Sequence, residues 1–164
     1  MVGRITVNMS ACIVDDIRWE AFTPDGKYGR KLFRSPDHSL ILKVSELGSS
    51  LVPESWVEGM TWPLLQALPA GRYVSFAPTL SCGTCSLGDS LYAWCIQPYI
   101  LGLNAYTQRD HLPPSPYVRH VIAEARAMAA SLGFSDSDLT FPGQYQYIKE
   151  TGKCVCIDYG KLIK

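Results

Sequence analysis

One aspartate follows a short apolar strand near the end of the sequence, and this setting suggests that it takes part in chemistry. Residues 153–157 have the pattern of a strand, and Asp158, Tyr159 and Gly160 come directly after it. Such an arrangement delivers one carboxylate from the end of a buried strand into a cleft, where it can hold a metal ion. Because aspartate and glycine also favour turns, a plain turn after the strand is the alternative interpretation.

A lysine inside an apolar strand is the second candidate for chemistry. Turn signals at 23–26 and 34–38 enclose a short strand at 31–33, and residues 39–44 form the next apolar run. This pattern predicts a β-hairpin whose second arm carries Lys43 in an apolar setting. The alternative is a lysine on an edge strand with its head group in water.

Acidic residues stand at two further places where they could act. A helix that begins at Pro53 carries Glu54 and Glu58, one turn apart, and the loop after the long helix carries Asp136 and Asp138. Each of these carboxylates fits a solvent-exposed position as well as a functional one, so the residue type alone does not decide between the two.

Two cysteines, Cys82 and Cys85, form a Cys-x-x-Cys pair within the turn-forming stretch 81–89. The pair has three interpretations: a plain hairpin turn, half of a zinc site, or a redox centre. A structural zinc site needs two more ligands, which Cys95 and His111 could supply. Under that interpretation the chain is a small interaction module stabilised by zinc.

A long helix is the element that the sequence predicts most clearly. It runs from Ser115, an N-cap residue, to about Leu132, with Pro116 at the first helical position and Gly133 as the stop. The spacing of its apolar residues predicts one buried stripe. That stripe consists of Val118, Ile122, Ala125, Ala129 and Leu132.

Other segments complete an alternation of strands and helices. Apolar runs predict strands at 74–80 and 90–96, and a closing hairpin begins with the strand at 145–148. We expect Gly59 and Pro63 to kink the helix that begins at Pro53 or to divide it into two short pieces. The fold class that follows is α+β.

Composition bounds the class of protein. The chain has 164 residues, with 15 Lys and Arg against 15 Asp and Glu, so its formal net charge is zero. This length predicts one domain over 1–164. No cluster of basic residues indicates nucleic acid, and no apolar run reaches the length of a membrane span. Because residues 1–16 lack the apolar run of a signal peptide, we expect a cytoplasmic protein whose cysteines are thiols.

The order of these elements, from Phe22 to the C-terminus, resembles the protein-kinase-like fold. A hairpin with a lysine precedes a helix with a glutamate, two strands, a long helix, a loop with an aspartate, and a hairpin that ends in Asp158-Tyr159-Gly160. The resemblance implies a small antiparallel sheet with one packed helix over 1–98 and a long helix with a hairpin over 99–164. Most of the kinase C-terminal lobe is then absent, as in the short kinase-like proteins of bacteriophages.

The resemblance also implies a nucleotide site for ATP. Lys43 matches the strand lysine that holds the α- and β-phosphates, and Glu58 matches the helix glutamate that pairs with it, with Glu54 as the alternate. Gln97 and Tyr99 match the hinge, whose backbone groups would contact the adenine.

Catalytic and metal-binding residues are implied in the same way. Asp158 matches the aspartate that binds Mg²⁺, and Asp138 matches the aspartate that accepts the proton of the substrate hydroxyl, with Asp136 as the alternate. The chain lacks the kinase asparagine that serves as second metal ligand, and Gln144 is the nearest replacement.

Departures from the kinase pattern decide between two functions. The His-Arg pair that precedes the kinase catalytic aspartate is replaced by Asp136-Ser137, and residues 26–29 are a reduced form of the glycine-rich loop. These departures favour a degenerate, pseudokinase-type protein that binds a host or partner protein. The alternative is a divergent phosphotransferase that uses ATP and Mg²⁺.

Overall fold

The chain comprises two compact units. The computed structural model describes residues 4–7, 11–21, 30–48, 53–87, 89–135 and 138–162. The first unit comprises Met1–Met60 and Pro78–Tyr99, and the second comprises Thr61–Ala77 and Ile100–Lys164. The predicted turn at 23–26, the reduced glycine-rich loop at 26–29 and the alternate base Asp136 lie outside the described residues.

Strands and helices follow one another in the following order. The strands are β1 Ile5–Val7, β2 Ala11–Val14, β3 Ile17–Ala21, β4 Arg30–Arg34, β5 Leu40–Glu46, β6 Val74–Phe76, β7 Ser81–Leu87, β8 Ser90–Pro98, β9 Leu103–Asn104, β10 Tyr145–Ile148 and β11 Lys153–Cys156. The helices are α1 Glu54–Gln66 and α2 Tyr117–Ser131, with short 3₁₀ turns at Arg109–His111 and Pro142–Gln144.

The first unit is built on a seven-stranded antiparallel sheet in the order β1-β2-β3-β4-β5-β8-β7. The outermost strands β1 and β7 also contact each other, so the sheet curves nearly into a barrel. One face of this sheet encloses an apolar core. Its buried members are Ile5, Cys12, Val14, Trp19, Phe33, Leu42, Val44, Trp94 and Ile96.

Alternation along β5 explains why its lysine points away from this core. Leu42 and Val44 are core residues, and the residue between them, Lys43, lies on the opposite face because successive strand residues alternate. That opposite face receives the first part of α1, where the Ser55 backbone N–H donates to Ser45 Oγ at 3.1 Å. The sheet therefore has one apolar inner face and one polar face against a helix.

Helix α1 runs without interruption through Pro63, so the expected division into two pieces is wrong. A proline inside a helix removes one hydrogen bond and crowds the carbonyl of the residue four positions earlier. That residue is Gly59, and a contact with the neighbouring strand also requires a small residue at this position. A Cβ atom built at Gly59 would lie 2.9 Å from both Cβ and Sγ of Cys82 on β7. The glycine therefore permits close packing of α1 on the sheet.

The predicted strand at 74–80 is too long, because the strand ends at Phe76. Its first half is β6, which pairs in parallel with β11 in a second sheet of order β6-β11-β10-β9. The predicted linker at 81–89 instead supplies β7, which pairs with β8 along its whole length. The closing hairpin of β10 and β11 is confirmed, with Tyr145 opposite Cys156 and Ile148 opposite Lys153.

Helix α2 confirms the predicted long helix and corrects its start. The helix begins at Tyr117 with Pro116 as its N-cap residue, so Ser115 is not the cap. The buried residues are Val121, Ala125 and Ala129, and the predicted stripe is therefore displaced toward Val121. Gly133 adopts φ +81°, which confirms its role as the stop because left-handed backbone favours glycine. Among the described residues, no helix combines the length and apolar character needed to cross a membrane.

Candidate functional site

Lys43 is buried on a central strand of the first sheet. Strand β5 lies between β4 and β8, and Lys43 is only 6% exposed, so the edge-strand alternative with a solvated head group is wrong. Its Nζ lies 3.1 Å from Oε2 and 3.4 Å from Oε1 of Glu58. The ammonium is thus held against a carboxylate in a position from which most water is excluded.

Glu58 is the centre of a buried polar cluster. Its side chain is 0% exposed, so the solvent-facing alternative for this residue is wrong. Besides Lys43, it accepts hydrogen bonds from Arg30 Nη2 at 2.7 Å, Gln97 Nε2 at 2.9 Å and Cys95 Sγ at 3.5 Å. Strands β4, β5 and β8 and helix α1 therefore all converge on one carboxylate.

Arg30 is a member of this cluster that the sequence reasoning missed. Its guanidinium also donates from Nη1 to Glu54 Oε2 at 2.7 Å, so it bridges two successive turns of α1. Two cations, Arg30 and Lys43, thereby face two carboxylates, Glu54 and Glu58. Buried charges are tolerated when they are paired and hydrogen-bonded, and this arrangement meets both conditions.

The two hinge candidates, Gln97 and Tyr99, lie at the end of β8 and directly after it. Gln97 is the penultimate residue of β8 and is 1% exposed, and its amide also donates to Thr79 Oγ1 at 3.2 Å. The backbone N–H of Tyr99 donates to the Ser39 carbonyl oxygen at 2.8 Å. A contact between this N–H and an adenine would therefore have to replace an existing hydrogen bond.

Two predicted site residues of the second unit, Asp138 and Asp158, line one small cavity. Its volume of about 10 Å³ leaves room for roughly one water molecule. Lys161 lines the same cavity, and its Nζ forms an ion pair with Asp138 Oδ2 at 3.0 Å. The proposed base and the proposed metal ligand are thus brought together within this unit, beside a lysine that the sequence reasoning did not select.

The segment around Asp158 is anchored by its aromatic neighbour. Tyr159 is 2% exposed, and its hydroxyl donates to the Ala77 carbonyl oxygen at 2.6 Å. Its ring packs edge-on against the ring of Phe76, with 5.5 Å between the two ring centroids. The tyrosine after the aspartate therefore fixes the backbone that carries the carboxylate.

Gln144, the replacement for the missing asparagine, lies in the 3₁₀ turn before β10. Its carbonyl oxygen accepts the backbone N–H of Ile157 at 2.8 Å. Ile157 immediately precedes Asp158, so the backbone of Gln144 lies beside the strand end that presents the carboxylate.

The Cys-x-x-Cys pair does not lie in a turn, so the interpretation of it as a plain hairpin turn is wrong. Cys82 and Cys85 both lie on β7, and residues three apart on a strand point to opposite faces. Cys85 packs against the apolar core, whereas Cys82 lies beside Gly59 of α1. Within the described ranges, no three His, Cys, Asp or Glu side chains gather closely enough to hold a metal ion. The zinc interpretation has no supporting observation here.

Comparisons with known proteins concern the fold. Neither a model of a protein family nor a curated protein sequence matches the chain. A co-crystal structure of WbdD with the kinase inhibitor LY294002 matches 96% of this chain and 36% of its own, with a TM-score of 0.58 and 13% identity. A medium-resolution structure of the bifunctional kinase-methyltransferase WbdD matches 99% of this chain and 41% of its own, with a TM-score of 0.55 and 12% identity.

This chain therefore spans well under half the length of the WbdD structures that it matches. Identity at this level concerns the fold alone. Together with the element order, the comparison supports a mixed α+β architecture with a distant kinase-like fold.

Proposed function

We propose that this chain is a kinase-like, nucleotide-binding protein in which Lys43 binds the phosphates of ATP. The observation that carries the proposal is the ion pair of 3.1 Å between Lys43 and the fully buried Glu58. An ammonium carries three N–H donors, so a lysine paired with one carboxylate can also donate to phosphate oxygens. A carboxylate beside it fixes the position of the head group before the ligand arrives.

A purely structural role explains this pair less well. Replacing a buried ion pair by well-packed apolar residues is often neutral or stabilising, because desolvating two charges is costly. Stability alone is therefore a weak explanation for a buried, paired lysine within a sheet. Charged side chains that are desolvated and held by specific partners are more common at functional sites.

Asp158 is the proposed Mg²⁺ ligand, and Asp138 is the proposed base. Carboxylate oxygens are the ligands that Mg²⁺ prefers, and this ion usually takes only one or two of them together with substrate phosphates. Both aspartates are lining residues of the same small cavity, and the backbone of Gln144 is held beside the strand end that carries Asp158. The ion would neutralise charge on the phosphates when it is bound.

Of the two candidate functions, we favour a degenerate kinase-like protein that binds a partner over a phosphotransferase. The replacement of the second metal ligand by Gln144 and of His-Arg by Asp136-Ser137 favours binding without transfer. The common cavity of Asp138 and Asp158 favours phosphoryl transfer, because that chemistry depends mainly on positioning and charge stabilisation.

A thermal-shift titration with ATP and Mg²⁺ tests the nucleotide site. At a ligand concentration 100 times the Kd, binding stabilises the folded state by about 2.7 kcal/mol, which raises the Tm of a chain of this size by roughly 5–10 °C. We expect this shift in the wild type and its loss in Lys43→Met. Lys31→Met, on the neighbouring strand of the same hairpin, is the matched control and should retain the shift. No shift in the wild type at millimolar ATP would overturn the proposal.

A turnover assay then separates the two functions. Release or transfer of the γ-phosphoryl group is measured for the wild type, Asp138→Asn and Asp158→Asn. A wild type that binds ATP without turnover contradicts the phosphotransferase and is the result expected of the degenerate binding protein. Turnover that disappears in Asp138→Asn, while the ATP-dependent shift persists, establishes the phosphotransferase.

A further inference from the structure

Two cysteines face each other directly across neighbouring strands of the first sheet. In the antiparallel pairing of β7 with β8, Cys82 is opposite Cys95. We propose that these two thiols form a reversible disulfide by exchange with a small disulfide such as oxidised glutathione, and that the bond removes the hydrogen bond between Cys95 and Glu58. The disulfide itself does not depend on the proposed nucleotide site.

The geometry of the strands suits this bond. Directly opposed residues of an antiparallel pair have Cα atoms about 4.5–5.5 Å apart, which lies within the range of natural disulfides. Both side chains also point to the same face. Cys95 Sγ lies 3.5 Å from Glu58 Oε2, and Cys82 packs on the adjacent residue of α1, Gly59.

The solvent exposure of the two thiols determines which of them reacts first with the small disulfide. Cys82 is exposed, whereas Cys95 is 0% exposed, so the small disulfide meets Cys82 first. The Cys82 thiolate attacks one sulfur of the small disulfide, forms a mixed disulfide and releases one small thiol. Cys95 then attacks the sulfur of Cys82 and releases the second small thiol. Two protein thiols are oxidised, and one small disulfide is reduced to two thiols that take up both protons.

The proton of the second step leaves with the departing small thiol. The S–H of Cys95 donates to Glu58 in the reduced protein, and its proton is taken up by the small thiolate that is released as the Cys95 sulfur attacks. Burial, followed by the charge of Glu58, raises the pKa of the Cys95 thiol well above its usual range. Cys95 is therefore a resolving thiol that reacts only once Cys82 carries the mixed disulfide.

Other cysteine pairs fit less well. Cys82 and Cys85 point to opposite faces of β7, which separates their sulfur atoms. Cys12 and Cys85 are close enough to influence each other, but both belong to the core side of the sheet. Burial raises the pKa of Cys12 to about 12 and that of Cys85 in the same direction, so neither supplies a ready thiolate for the first step, the attack on the small disulfide.

Peptide mapping of the full-length chain tests the proposal. The folded protein is incubated with oxidised glutathione, remaining thiols are alkylated, and linked peptides are identified by mass spectrometry after digestion. We expect a Cys82–Cys95 link with the loss of two hydrogen atoms, and its complete reversal by dithiothreitol. The link should disappear in Cys82→Ser and persist in the matched control Cys85→Ser.

Several results would overturn the inference. These are a predominant Cys12–Cys85 link, a stable glutathione adduct on Cys82 without a link to Cys95, or no oxidation of the folded chain. Circular dichroism of each variant shows whether it is folded, so a missing link in Cys82→Ser is attributed to the lost thiol. Oxidation after denaturation should give a mixture of links, because the strand register no longer selects one pair.

Discussion

Glu58→Gln should be among the most destabilising conservative substitutions in the chain. The substitution keeps the shape of the side chain but removes the negative charge that faces both Arg30 and Lys43. Removing one partner of a buried ion pair costs about 3–5 kcal/mol, because an uncompensated charge stays in the interior. That cost approaches the whole stability of a small domain, which is about 5–15 kcal/mol.

Two comparison variants make this prediction sharper. Lys43→Met leaves Glu58 paired with Arg30 and bonded to Gln97, so we expect a smaller loss of about 1.5–3 kcal/mol. Glu54→Gln is the matched control for charge on the same helix. The Glu54 side chain is 15% exposed whereas that of Glu58 is 0% exposed, and we expect a loss of about 1.5 kcal/mol for Glu54→Gln.

Urea unfolding of the four proteins measures these differences. With a slope of roughly 2 kcal/mol per molar urea, the loss expected for Glu58→Gln lowers the midpoint by about 2 M. The double variant Lys43→Met with Glu58→Gln should lose less than the sum of the single losses, by about 0.5–3 kcal/mol, because the two residues interact directly. The reasoning is refuted if Glu58→Gln lies within about 1 kcal/mol of the wild type, or if Lys43→Met costs more than Glu58→Gln.

Three further predictions concern single contacts. The Glu124 carboxylate accepts hydrogen bonds from the backbone N–H groups of residues 72–74, at 3.0, 2.8 and 2.9 Å. Glu124→Gln should therefore lower the free energy of unfolding by about 1.5–3 kcal/mol. An unchanged urea midpoint would contradict this. Gly59→Ala places a methyl group 2.9 Å from Cys82, so it should lack the gain of about 1 kcal/mol that helix propensity alone predicts, and a higher midpoint would contradict this. The Ser39 backbone N–H, followed by the Ser35 and Ser39 hydroxyls, lowers the pKa of Asp37 to about 2. The ionised carboxylate of Asp37 should therefore stabilise the fold above about pH 3.9, and this stabilisation should be lost as the pH falls through about 2. An NMR titration of the Asp37 carboxyl with a midpoint near 3.9 would contradict this last prediction.

Elements with strong local patterns could be predicted from the sequence. The hairpin of β4 and β5 has turn residues between two apolar runs, and α2 has a helical period that ends at Gly133. The hairpin of β10 and β11 has alternating residues around Gly152, which adopts φ +70°. In each case the signal lies within a short window, so no distant contact was needed to interpret it.

Strand β7 shows why the rest of the sheet could not be predicted. Its residues are mostly turn formers, but β8 offers a full row of partners, and tertiary pairing overrides weak local preference. Gly83 illustrates the reason for that composition. It lies opposite Trp94, and a Cβ atom at this position would be 2.8 Å from the indole ring. A residue that suggested a turn is therefore small because it makes room for a large aromatic neighbour.

Arg30 shows the same limit at the candidate site and also explains how Lys43 could change partners. The two residues that contact Glu58 from β4 and β5 are 28 and 15 positions away in sequence, and no local pattern links them. Arg30 holds Oε1 of Glu58 at 2.7 Å, whereas Lys43 lies closer to Oε2, at 3.1 Å. Because Arg30 keeps the carboxylate compensated, Lys43 can turn part of its donor capacity toward a phosphate at a lower cost than in an isolated pair. The residue that sequence reasoning missed is thus the one that makes the proposed role of Lys43 energetically reasonable.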